Sequence, residues 1–113
     1  MMTPIDFQLF DWSKLPKTEH KGERGTSFWQ CLEIADLRIR MVEYSSGYIA
    51  DHWCSKGHLV YCVEGEFINE LKDGAKTKLV KGMGYVVSDE KSVHRSVSDN
   101  GAKLFIVDGG FLK

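Results

Sequence analysis

The sequence predicts an all-β fold, an antiparallel sandwich or barrel, and three observations carry that prediction. From Thr26 onward, short apolar runs and turn residues alternate every 8 to 12 residues, the strand spacing of such folds. Within "LRIRMVEY", Leu37, Ile39 and Met41 take one face and Arg38 and Arg40 the other, as a half-buried strand requires. No helical stripes separate the apolar runs, so nothing implies a parallel sheet with crossover helices.

Residues 1–25 read as an N-terminal arm and residues 26–113 as the barrel domain. The arm holds both prolines, Pro4 and Pro16, and the polar run "PKTEHKGERG". Its Phe7, Phe10 and Trp12 suggest that part of it lies against the body or a second subunit, and "FDWSKL" allows a short turn. "TSFWQCLEI" and "LRIRMVEY" follow as strands. Taken alone, "WQCLEIADLRIRM" also scores as helical, and the shortness of its neighbours decides for strands. "SSGY" marks a turn. "HLVYCVEGEFINEL" reads as two strands joined at Glu64-Gly65, and Asp73-Gly74 is a strong hairpin signal. "KLVKGMGYVV" places two glycines between apolar pieces, and "VHRSVS" leads through Asp99, Asn100 and Gly101 to "KLFIVD". "GMG" has neither the spacing nor the following helix of a phosphate-binding loop.

A chain of 113 residues supports one core. If it is globular, its radius of gyration is about 14 Å. Fifteen Lys plus Arg against sixteen Asp plus Glu leave a formal charge of -1, which provides no footprint for nucleic acid or an anionic membrane. No apolar run reaches bilayer length. The first twenty residues carry acidic groups where a secretory leader would be basic, so the expected location is cytoplasmic. Three cysteines, an odd number, argue against a disulfide scaffold and disfavour a Cys54–Cys62 bridge.

The chemistry concentrates in "DHWCSKGH". His52 and Cys54 are two apart, so an extended backbone puts both on one side and Trp53 on the other. After the break at "SKG", His58, Val60, Cys62 and Glu64 share a face, opposite Leu59, Tyr61 and Val63. His94, on a separate strand, would complete four donors, and three imidazoles with a thiolate suit Zn²⁺. Isolated polar residues near a barrel mouth are the competing reading.

"GYIADHWCSKGHLVYCVEGE" and "KGMGYVVSDEKSVHR" resemble the two signature segments of the cupin superfamily. His52 stands at the first motif histidine after one small length adjustment, Cys54 at the second, and His58 where a glutamate is usual, six residues before Gly65. His94 matches the histidine of the second segment, while Asp89 and Lys91 replace its proline and glycine and Ser98 its asparagine. More closely, the region is similar to the small cupins named for a DHCW motif. The resemblance covers roughly residues 25–109. It implies a double-stranded β-helix, or jelly-roll, barrel, a homodimer, and one interior transition metal on His52, Cys54, His58 and His94. Zinc leads, with nickel or iron as alternatives.

Four filled positions would make such a metal structural, whereas three donors plus water would make it reactive. The sequence therefore supports a metal-binding cupin that acts on or binds a small organic molecule. Its rival is a non-enzymatic, metal-stabilised ligand-binding or interaction module. Arg38 and Arg40 either face solvent or line the barrel, where they would bind a carboxylate or phosphate. Arg95 should point away from His94. Trp53 and Tyr61 read as packing or oligomer contacts, and Cys62 as a small buried hydrophobe.

Overall fold

The computed structural model describes residues 4–113. Within them the chain forms β1 (Thr18–Lys21), β2 (Thr26–Ile34), β3 (Leu37–Tyr44), β4 (Tyr48–Ile49), β5 (His58–Leu71), β6 (Lys76–Val80), β7 (Gly84–Val87), β8 (His94–Ser98) and β9 (Ala102–Asp108). All the pairings between these strands are antiparallel. They make one sheet, ordered β1-β2-β3-β9-β5-β8-β4 with β6 and β7 also on β5, which curls into a half-barrel of jelly-roll type. The radius of gyration is 14.1 Å. No helix among the described residues is long and apolar enough to cross a membrane.

"HLVYCVEGEFINEL" does not form the hairpin expected at Glu64-Gly65. It is one fourteen-residue strand, β5, with a bulge between Cys62 and Glu64. Gly65 takes φ +75°, and a Cβ there would collide with the Gly101 carbonyl oxygen. A left-handed glycine at a bulge turns the strand sharply without reversing it. The first half of β5 therefore pairs with β9 and β7, and the second half with β6 and β8. At Asp73-Gly74 the reversal is real: Leu71 N–H donates to the Ala75 carbonyl, and the Asp73 carboxylate accepts from Ala75 N–H.

The sheet begins inside the stretch assigned to the arm, because β1 pairs with β2. A 3₁₀ turn at Trp12–Lys14, capped by Asp11, precedes it. Gln30 Nε2 donates to the carbonyls of Trp12 and Leu15, and the Trp12 ring meets Phe105 edge-on.

The alternation of β3 stands, but its buried face belongs to Arg40 and Val42, with Arg38 on the same side. Val42, Val60, Cys62, Phe67, Leu79 and Leu104 form the heart of the apolar core. β3, β9 and β5 each lead from this core toward charged or polar inner residues: Arg40 and Arg38, Asp108, and His58 respectively.

Candidate metal centre and its cavity

At the polar end of the barrel the backbone brings two distant segments together. Cys54 and His94 form an isolated antiparallel bridge, with Cys54 N–H on the His94 carbonyl at 2.7 Å and the reverse bond at 3.0 Å. Their side chains consequently lie beside each other. β5 supplies His58, whose Nε2 is 3.4 Å from Cys54 Sγ. The preceding Gly57 passes so close to the backbones of Val87 and Asp89 that a side chain would not fit, and its N–H donates to Asp89 Oδ1 at 2.7 Å. One ligand atom each from Cys54, His58 and His94 all lie within 4.8 Å of one another.

The remaining ring nitrogens orient the donors. His94 Nδ1 is 2.7 Å from the Ser92 carbonyl, which can only accept, so Nδ1 carries the hydrogen and Nε2 the lone pair. That Nε2 is buried without a hydrogen-bond partner. His58 Nδ1 faces Asp108 Oδ2 at 3.4 Å without making a hydrogen bond to it, an arrangement close to the carboxylate–imidazole pairing that commonly backs metal-binding histidines. Burial pushes the Cys54 thiol up, but the His58 imidazole, at hydrogen-bond distance, favours its thiolate and is the main neighbour that brings it down to about 5. For His58, desolvation opposes the charge, while Asp108 and Cys54 outweigh it and raise the imidazole. Asp108 is raised by burial and lowered more by His58, Arg38 and Arg40, which hold it well below the usual carboxylate range. One low-lying thiol and two oriented imidazoles, one with an unpartnered lone pair, form a cluster capable of holding a transition-metal ion.

Of the four donors anticipated, the structure gathers Cys54, His58 and His94. His52 lies outside that group, its side chain 73% exposed and its Nδ1 2.7 Å from Asp51 Oδ1. The chain bends at residues 51–52, so strand alternation does not carry His52 to the side of Cys54. It stands instead at the mouth of the same cavity. Trp53 packs under Arg95, whose Cζ is 4.5 Å from the ring centroid, and Arg95 extends to Glu23 and Glu70. Glu43 pairs with Lys17 and Lys103. Cys62 is wholly buried in the core.

Asp108 was missed. It is 1% exposed and grips Arg38 with two bonds, Nε to Oδ1 at 3.1 Å and Nη2 to Oδ2 at 2.8 Å. The available signal was parity: Ala102, Leu104 and Ile106 are buried on one face of β9, and Asp108 continues their register.

The three donors line a cavity of about 500 Å³ that also takes in Arg40, Tyr44, Tyr85 and Ser96, with Val60, Leu104 and Ile106 as an apolar wall. Arg40 is 5% exposed and lies over the Trp29 ring, Cζ 4.6 Å from its centroid. Burial and the neighbouring Arg38 lower its pKa, although Asp108 opposes this.

No family model matches the chain, and no curated protein matches it. Solved structures do. An RmlC-like cupin from Shewanella frigidimarina superposes with a TM-score of 0.69 at 21% identity, covering 96% of this chain and 94% of the other. A Thermotoga maritima protein described as a predicted oxalate decarboxylase reaches 0.77 at 10% identity, over 90% and 98%. Ectoine synthase from P. lautus reaches 0.71 at 18% identity, over 91% and 78%. Fold and cluster together define a small β-barrel with a candidate metal site inside it. The barrel shares the fold of these structures, the RmlC-like cupin among them.

Proposed function

We propose that this chain is a metal-dependent cupin that acts on or binds a small organic molecule. Zinc is the proposed ion, held by Cys54, His58 and His94. The observation that carries the reading is the convergence of these donors on a cavity, with His94 Nε2 buried and unpartnered. A thiolate with two imidazoles suits zinc, and the absence of a carboxylate among the three donors disfavours an iron oxygenase. Nickel and iron are the other outcomes of metal analysis. When bound, such an ion polarises a substrate oxygen or acidifies a water. In this reading His52 is a rim group of the cavity, and an ion held by the three donors would keep room for water or ligand. Ectoine synthase and the predicted oxalate decarboxylase are named for small organic compounds, and a cavity of about 500 Å³ suits a ligand of that scale.

Elemental analysis and X-ray absorption of anaerobically purified protein test the reading. One sulfur, two imidazole nitrogens and an exchangeable light ligand are expected. Four protein donors would favour the non-enzymatic, metal-stabilised module, and no bound metal would overturn both. Cys54→Ser should weaken zinc binding about 100-fold or more, measured by competition with a chromophoric chelator. Unchanged affinity would remove the thiolate from the site.

We also propose a homodimer. Ile39, Val107, Leu59 and Val86 form an apolar cross-strand row on the outer face, with Val86 66% exposed. Phe7 of the arm is 91% exposed nearby in sequence to Trp12, which already touches this face at Phe105. Sedimentation should give a dimer, and a monomer at every concentration would refute it.

A further inference from the structure

Arg40 poses a charge problem that the described residues leave unsolved. Two guanidinium groups, Arg38 and Arg40, converge on the single carboxylate of Asp108. Arg38 takes both of its oxygens in a bidentate pair. Arg40 reaches it only through Nη2 at 3.6 Å, beyond hydrogen-bond length, and its buried Nε has no partner at all. A guanidinium does not escape burial by releasing its proton, as a lysine or histidine does. One buried guanidinium therefore has no acceptor at hydrogen-bond distance, with its Nε donor unused.

The cavity around it has the matching polarity. Arg38, Arg40, Lys56 and Arg95 line it, and no aspartate or glutamate among the described residues does. Such a wall attracts anions. The Trp29 face holds the Arg40 guanidinium from one side, so its fork is fixed in plane for a two-oxygen acceptor.

We infer that the cavity binds a small organic acid through its carboxylate, with Arg40 as the anchoring residue and the Cys54–His58–His94 cluster facing the rest of the molecule. The inference deepens the proposed site and rests on it in sharing that cavity. The space of about 500 Å³ and the apolar wall of Val60, Leu104 and Ile106 favour a carbon skeleton over a simple inorganic ion.

The test is calorimetric titration of metal-free and zinc-loaded full-length protein in chloride-free buffer. Butyrate, succinate and benzoate are each compared with the corresponding amide, with inorganic phosphate and chloride as further probes. At least one acid should bind, with its amide about 10- to 100-fold weaker, the range for a lost charge-assisted contact. Arg40→Gln should abolish that preference, and Arg40→Lys should keep a weakened form of it. Binding by no acid, equal binding of acid and amide, tighter binding of phosphate or chloride than of every acid, or a preference that survives Arg40→Gln would each overturn the assignment. If Arg40→Gln does not fold, the acid–amide comparison on the wild-type chain decides alone. Acid preference in a chain that takes up no zinc would sink the metal reading and leave this one standing. Zinc uptake without acid preference would do the reverse.

Discussion

The two ends of the barrel interior are built on the same three strands and behave oppositely. At one end Val42, Leu104 and Cys62 sit on adjacent rungs of β3, β9 and β5, with Phe67 and Leu79 closing over them. Two rungs or so along the same strands, those positions become Arg40, Arg38, Asp108 and His58. The first end is held by burial of apolar surface, which is insensitive to geometry at the level of single atoms. The second is held by charges whose removal from water is compensated only when each finds its partner. A shared scaffold thus separates the work of folding from the work of chemistry: the apolar end stabilises the strands, and the polar end spends part of that stability on keeping charges inside.

The largest expected effect of breaking this division is at the apolar end. Phe67→Ala removes a fully buried ring and should cost about 4 kcal/mol of unfolding free energy, read from urea midpoints. Metal affinity of the fraction that remains folded should be unchanged. A folded variant that loses its metal would show the two ends to be coupled.

Next comes Asp108→Asn, which preserves shape and leaves Arg40 and His58 without their carboxylate. A cost of about 3 kcal/mol is expected, with the sign of its pH dependence set by the lowered Asp108 pKa. A carboxyl held low when folded contributes its stability above the ordinary aspartate value of about 3.9 and loses it as pH falls through the lowered one. Metal-free wild type and Asp108→Asn should therefore begin to converge only as pH falls below about 4, the range in which the two are compared. Parallel curves would mean that Asp108 is not charged in the folded chain.

Gly65→Ala probes the bend between the two halves of β5. The left-handed backbone and the Gly101 carbonyl both oppose a side chain there, so about 2 kcal/mol of destabilisation is expected in thermal melts. His52→Ala should change least. Its loss should alter stability by less than about 0.5 kcal/mol and leave one metal per chain by elemental analysis, and loss of the ion would restore His52 as a resident ligand.

The sequence made strands visible wherever alternation was undisturbed, as in β3 and in β9. It could not say which face of β3 was inside, because a buried Arg40 makes sense only once Asp108 is known to lie on the neighbouring strand. Glu64-Gly65 looked like a hairpin turn because a left-handed glycine serves a reversal and a bulge equally well. His58, Cys54 and His94 could be matched to the signature segments residue by residue. His52 could be matched as well, yet its position depends on a bend that alternation rules do not describe.

β5 pairs with β9 and β7 before its bulge and with β6 and β8 after it, and the bulge has a consequence for which changes the chain tolerates. Before it the even-numbered residues His58, Val60 and Cys62 point inward, and after it the odd-numbered Phe67 does. Cys62 and Phe67 are five residues apart, so deleting one residue at the bulge would leave them four apart, and a regular ladder would keep both inward. What such a deletion would remove is the bend that carries β5 from its pairing with β9 and β7 to its pairing with β6 and β8.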